Sequence, residues 1–285
     1  MRPENLKTKV FLDGGDPHET KEILDLLGFL DGQTTNPTLV ARNPDIQKKC
    51  ADGCDESVVY EAYRGIVSEI AGLIPDGSIS VEVYADKDTD FETMFTQSKD
   101  MYAWIPNAHI KFPTTEVGLA AAERAVTEGM RVNMTLCFSQ TQAAAVHAAT
   151  KLANDEGQVF VSPFIGRLDD IGLQGVDLIK NIVDMYAKGK SHVKVLSASI
   201  RTLDHLLASF HVGADIVTVP GKVIKEWVAA GMPVPDDTYL YETDLESIAY
   251  DEIALDAEWN KYDIAHDLTT KGIEKFAHDW NALVK

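Results

Sequence analysis

Eight short stretches rich in Val and Ile recur along this 285-residue chain, with amphipathic helical stretches between them. No internal repeat, linker or low-complexity segment breaks the series, and no glycine-rich nucleotide loop follows the first strand pattern. These features predict an α/β fold closed as a (β/α)₈ barrel, an architecture that commonly uses about 250 residues as a single domain. A doubly wound open sheet is the alternative, and the missing loop speaks against it. One domain is expected over 1–285, with the barrel at about 8–225 and an acidic appendage and C-terminal helix at about 226–285.

Taken in order, the strand patterns lie at 9–13, 29–35, 78–84, around Lys111, and at 131–137, 158–163, 193–198 and 216–220. In 78–84, Ile79, Val81 and Val83 alternate with polar residues as a half-buried strand requires. Helical spacing marks 19–27, one or two helices between Pro44 and Leu73, and about 90–104. Further helical runs are expected from about Thr115 and over 140–152, 176–188 and 202–211. Pro37 closes the second strand and holds Asn36 extended. Between Glu226 and Asn260 there is no Lys or Arg, while Asp and Glu accumulate around Tyr239, Tyr241, Ile248 and Ile253. That apolar content predicts order, helical in part, covering the barrel mouth or contacting a second subunit. A final helix over 264–283 carries Ile273, Phe276, Trp280 and Leu283 on one face.

The apolar and charged fractions, 45% and 25%, are those of a globular protein, and no apolar run is long enough to span a membrane. The segment 1–10 has no signal-peptide core, so a cytoplasmic location is expected. A net charge of −19 excludes a nucleic acid or an anionic membrane surface as partner, but two arginines in a cleft still suit a small anion. Cys50, Cys54 and Cys137 cannot form a disulfide framework; they are expected as reduced thiols, and no metal-binding set of Cys and His accompanies them.

Polar residues collect where the predicted strands end, the place where chemistry gathers in such barrels. They are Asp13, Thr34, Asn36, Glu82, Lys111, Asn133, Thr135, Ser162 and, just beyond their strands, Arg167 and Arg201. Lys111 sits between Ile110 and Phe112, and a lysine in a buried strand carries a desolvation cost that suits an amine attacking a carbonyl. Asn133 and Thr135 are two apart and share a face. Bland readings stand beside these. Asp13 before two glycines and Asn36 before Pro37 both suit turns, Glu82 suits a solvated face, and Arg167 suits a surface ion pair with Asp169 or Asp170.

Five motifs carry a resemblance to the transaldolase family: DGQTTNPTL at 31–39, IKFPTTEVGL at 110–119, VNMTLCFSQTQA at 132–143, VSPFIGR at 161–167 and SASIR at 197–201. The likeness spans roughly 9–225, plus GIEKFAHDW near the end. It implies a circularly permuted class I aldolase barrel with Lys111 as the Schiff-base lysine on the fourth strand. It also implies Glu82 and Thr135 holding a proton-shuttling water, and Asp13 as acid/base at the C4 hydroxyl. Asn36, Asn133 and Ser162 would bind the dihydroxyacetone hydroxyls, and Arg167, Arg201 and Ser199 the phosphate.

The activity so implied is transfer of dihydroxyacetone between sugar phosphates in the non-oxidative pentose phosphate pathway, with no metal or organic cofactor and a homo-oligomeric assembly. Related fructose 6-phosphate aldolases typically carry Gln at the position of Glu82 and Tyr at that of Phe164, so both residues favour transfer over release of dihydroxyacetone. A lyase, a transaldolase for a sulfonated or otherwise modified sugar, and an idle sugar-phosphate-binding barrel are the alternatives. FLDGGDPHE departs from the family's usual Asp-Thr or Asp-Ser, and the acidic segment 236–258 has no counterpart in the pattern.

Overall fold

Parallel pairing runs from each strand to the next and returns from the last to the first. The computed structural model describes residues 1–285. Its strands are β1 (Lys9–Asp13), β2 (Gly32–Thr34), β3 (Ser78–Glu82), β4 (Ala108–Pro113), β5 (Val132–Cys137), β6 (Val159–Pro163), β7 (Lys194–Ser197) and β8 (Ile216–Val219). They close a barrel in sequence order, with Lys9 opposite Ile216 at the seam. Every residue of β4, β5, β6 and β8 is buried, which is why these strands read as nearly continuous apolar runs. Inside, His109 stacks on Phe160 and Phe11 meets Phe160 edge-on, together forming a floor. Gly32 makes room for it, since a Cβ there would lie 2.8 Å from the Phe11 ring.

One long helix follows each strand, beginning with Pro17–Leu27 and Glu56–Leu73 and ending with Leu203–His211 and Gly221–Ala229. Several start on side-chain caps of the expected kind: Asp16, Asp90, Thr115, Ser139 and Thr202 each accept from a first-turn backbone N–H. Short helices Pro37–Ala41, Pro44–Lys49 and Ile165–Asp169 are added in the loops. No helix is long and apolar enough to cross a membrane.

The acidic stretch corrects two expectations. Beyond the end of Gly221–Ala229 it holds no α-helix, only a 3-10 turn at Trp259–Lys261, and it lies on the outer wall rather than over the mouth. Tyr239, Tyr241, Ile248, Tyr250, Ile253 and Leu255 pack inward against the barrel's helical layer. Its backbone is tied down by side chains of those helices. Asn181 donates to the carbonyls of Ile248 and Ala249, and Gln140 exchanges two hydrogen bonds with Asp251. Backbone satisfied by wall residues has no need of helical bonds of its own.

The helix Asp267–Asn281 crosses the mouth instead. Gly272 lets it approach, since a Cβ there would lie 2.6 Å from the Leu136 side chain and 2.7 Å from Arg167 Nη1. Leu136 itself takes a left-handed backbone (φ 56°) at a bulge in β5 and presents its carbonyl to Thr269 Oγ1. A third correction concerns the thiols. Cys50 and Cys54 form a disulfide, their Cα atoms 5.1 Å apart across the turn that ends Pro44–Lys49, and only Cys137 is free. The turn folds the chain back far enough to bring an i, i+4 pair within bridging distance.

Gln140→Ala removes both bonds to Asp251. Limited proteolysis is expected to cut within 236–258 several times faster, with the far-ultraviolet circular dichroism unchanged. Equal cleavage rates would contradict the anchoring.

Candidate active site

The register places three of the expected site residues at one level of the barrel. Glu82 on β3 pairs with Lys111 on β4, which pairs with Asn133 on β5. Because alternate residues of a strand face the same side, all three point inward. Lys111 Nζ lies 2.8 Å from Glu82 Oε2, and the two side chains are 4% and 3% exposed. The contact has the distance but not the angle of a hydrogen bond, so Glu82 Oε2 keeps an unspent acceptor. Nζ also donates to the Thr35 carbonyl at 3.1 Å. On the far side, Ser162 donates to Asn133 Oδ1 (2.6 Å) and Asn133 Nδ2 donates to Ser80 Oγ (3.0 Å). Thr135 Oγ1 is buried with no partner in the protein.

Across the barrel, Thr34 on β2 donates to Asp13 Oδ1 at 2.8 Å, and its oxygen bonds Thr218 on β8. The single Thr34 proton goes to Asp13, so Thr218 is the donor to Thr34. Both carboxyls are shifted upward. Burial dominates at Asp13, partly offset by the charge of Lys111 and the Thr34 bond. At Glu82 burial again leads, with the charge and close approach of Lys111 opposing it. Each is thereby moved towards the range in which a carboxyl can both give and take a proton.

A cavity of 350 Å³ opens above these groups at the C-terminal ends of the strands. Nine of the twelve expected residues line it: Asp13, Thr34, Asn36, Lys111, Ser162, Phe164, Arg167, Ser199 and Arg201. Glu82, Asn133 and Thr135 do not. Glu82 borders instead a crevice of 10 Å³, about the space of one water.

The cavity rim is cationic. Arg167 is held between the rings of Phe164 and Phe276, each centroid 5.3 Å from its guanidinium carbon. It makes no ion pair with Asp169 or Asp170. Arg201 takes Asp170, and His205 takes Asp169. Ser199 adopts a left-handed backbone (φ 60°) between them, the kind of local strain that functional loops retain. Asn36 is extended as expected and caps Pro37–Ala41 by accepting from Leu39 N–H.

Seven lining residues were not expected at the site from the sequence: Thr38, Leu39, Arg42, Ala198, Thr218, Lys275 and Phe276. Thr218 was findable, as the polar residue in IVTV at a strand end. Lys275 and Phe276 arrive on the last helix, and only their place in GIEKFAHDW hinted at them. Nothing local marks Arg42.

A larger hollow of 1210 Å³ opens at the opposite end of the barrel, below the aromatic floor. Size does not make it the site. His109 at its edge is held neutral by burial, with a pKa lowered to about 3, and its ring nitrogens bond Ser78 and the Gly157 carbonyl. No three His, Cys, Asp or Glu side chains converge as a metal site would require.

The family model for Transaldolase/Fructose-6-phosphate aldolase matches residues 10–285. The chain belongs to this family. A probable transaldolase of Dehalococcoides mccartyi is 33% identical over 277 residues, covering 97% of this chain and 100% of that protein. One from a Ruegeria species is 39% identical over 220 residues, covering 77% of this chain and 88% of that one. Among solved structures, 3-hexulose-6-phosphate synthase from Salmonella typhimurium superposes with a TM-score of 0.49 at 13% identity, covering 80% of this chain and 100% of that one.

Burial raises the Asp13 carboxyl above its ordinary value of 3.8, so the folded protein binds that proton more tightly than the unfolded chain. Stability therefore falls as pH rises from the ordinary value through the raised one. Asp13→Asn escapes this. Its melting temperature is expected to exceed that of the wild type at neutral pH, with the gap closing as pH is lowered towards 3.8. A gap independent of pH, or of opposite sign, would contradict the burial effect.

Proposed function

We propose that this protein is a cofactor-independent transaldolase that moves a dihydroxyacetone unit between sugar phosphates through a Schiff base on Lys111. The observation that carries the reading is the buried amine of Lys111, 2.8 Å from Glu82, on the floor of a cavity whose rim holds Arg167 and Arg201. Such a cavity fits a substrate with a carbonyl at one end and a phosphate at the other.

The steps follow from these positions. Arg167 and Arg201, with Ser199, take the phosphate of fructose 6-phosphate or sedoheptulose 7-phosphate, for which planar guanidinium forks are well shaped. The neutral amine of Lys111 attacks the C2 carbonyl. Glu82, its proton held by burial, supplies it through a water in the adjoining crevice, and the carbinolamine loses hydroxide as water. Asp13 then removes the C4 hydroxyl proton, the C3–C4 bond breaks, and its electrons pass into the iminium. An aldose phosphate leaves. The dihydroxyacetone enamine stays on Lys111, its hydroxyls met by Asn36, Asn133 and Ser162. When glyceraldehyde 3-phosphate or erythrose 4-phosphate enters, the enamine carbon attacks its aldehyde and Asp13 returns the proton. Hydrolysis of the new imine frees Lys111. Phe164 packs its ring on Arg167 and has no hydroxyl to orient a water at the enamine, which supports transfer over release. The reading places the enzyme in the non-oxidative pentose phosphate pathway of the cytoplasm, as a homo-oligomer.

Product analysis tests it. With fructose 6-phosphate and erythrose 4-phosphate, sedoheptulose 7-phosphate and glyceraldehyde 3-phosphate are expected, and with fructose 6-phosphate alone almost no free dihydroxyacetone. Abundant dihydroxyacetone without acceptor would make the enzyme a lyase, and turnover in Lys111→Ala would end the Schiff-base reading. Arg201→Ala should raise KM for the ketose phosphate by roughly 10- to 100-fold, the loss of one or two charged hydrogen bonds. An unchanged KM would remove Arg201 from the phosphate site.

A further inference from the structure

Tyr63 belongs to the helical layer, on Glu56–Leu73, yet it is fully buried and its hydroxyl reaches the ends of β2 and β3. Glu82 N–H donates to Tyr63 Oη at 3.0 Å. Tyr63 Oη also bonds Thr35 Oγ1. The one hydroxyl proton of Thr35 goes to the Ser80 carbonyl at 2.8 Å, so Tyr63 is the donor to Thr35. Burial pushes the Tyr63 phenol upward, which keeps that donor protonated.

The strand register gives this arrangement its meaning. β2 and β3 pair with Gly32 opposite Ser78, Gln33 opposite Ile79 and Thr34 opposite Ser80. Thr35 N–H continues the ladder to the Ser80 carbonyl at 3.0 Å. In a regular parallel ladder the next bond would run from Glu82 N–H to the Thr35 carbonyl. That bond is not made. Tyr63 Oη takes the Glu82 N–H, and the vacated Thr35 carbonyl accepts from Lys111 Nζ at 3.1 Å.

We infer that Tyr63 is a positioning residue for Lys111: its hydroxyl replaces one ladder bond and so leaves the Thr35 carbonyl open to hold the reacting amine beside Glu82. The reaction it serves rests on the transaldolase reading, while the exchange of one bond for another stands on the register alone. Tyr63 does not line the substrate cavity, so it acts only through the groups it holds. A backbone carbonyl fixes Nζ more rigidly than a second long side chain would, because its position is set by the barrel itself.

Tyr63→Phe tests the inference, since it deletes the hydroxyl and keeps the ring that packs edge-on against Trp104 and Trp280. In a crystal structure of Y63F, Glu82 N is expected within hydrogen-bond distance of the Thr35 carbonyl, and Lys111 Nζ beyond it. Nζ still bonded to Thr35 would overturn the inference, and this holds whatever the enzyme's substrate proves to be. In turnover, kcat is expected to fall by about ten- to a hundredfold, the usual cost of a misplaced reacting group, while KM changes by less than about twofold. Tyr60→Phe is the control. Tyr60 lies one turn earlier on the same helix and also packs on Trp280, and its loss of a hydroxyl should leave kcat unchanged. A Y63F protein with a lowered melting temperature but wild-type kcat would make Tyr63 a purely structural residue and overturn the inference.

Discussion

Lys111 and Glu82 share a buried contact, and much of the structure exists to make that contact tolerable. A charge taken out of water loses several kcal/mol of solvation, and burial accordingly raises the Glu82 carboxyl towards its protonated form. The barrel supplies what the pair needs. Matched register puts both residues on neighbouring strands at one level, and the shortness of β2 frees the Thr35 carbonyl for the amine. An open sheet edge could not hold the pair dry on every side. A closed barrel can.

The same closure separates the two ends of the molecule. Below, aromatic rings fill the interior and a neutral His109 spends both ring nitrogens on structure. Above, the polar layer of Asp13, Thr34, Glu82, Lys111 and Asn133 begins at once, and the last helix covers part of it. That helix does more than cover. Phe276 completes the aromatic clamp on Arg167, and Asp279 ties Lys275 and Thr38 together at the rim. The acidic segment, which carries no cation from 226 to 260, runs outside the wall and leaves the cationic rim unopposed by its charge. In a chain with a net charge of −19, that separation keeps the mouth attractive to an anion.

Much of this was legible because it rests on local pattern. Val/Ile runs of strand length separated by helical spacing can hardly form anything but alternating β and α, and polar residues at the ends of such strands stand out against them. What was not legible depends on distant partners. The acidic segment read as partly helical because its aromatic residues promised order, yet its backbone bonds go to Gln140 and Asn181, more than 60 positions away. The Cys50–Cys54 bridge depends on a turn that spacing does not specify. β2 proved shorter than the apolar run around it, ending at Thr34, and the consequence for Thr35 and Tyr63 appears only once the register is known. Arg42 and Lys275 meet at the rim from opposite ends of the chain.

The central claim is that Lys111 becomes covalently bound to the substrate at C2. Borohydride reduction in the presence of fructose 6-phosphate, followed by intact mass and peptide mapping, tests it most directly. The account predicts one three-carbon adduct per chain, located on Lys111, that disappears when erythrose 4-phosphate is added before the reductant. An adduct on another lysine, or none with any ketose phosphate, would contradict it.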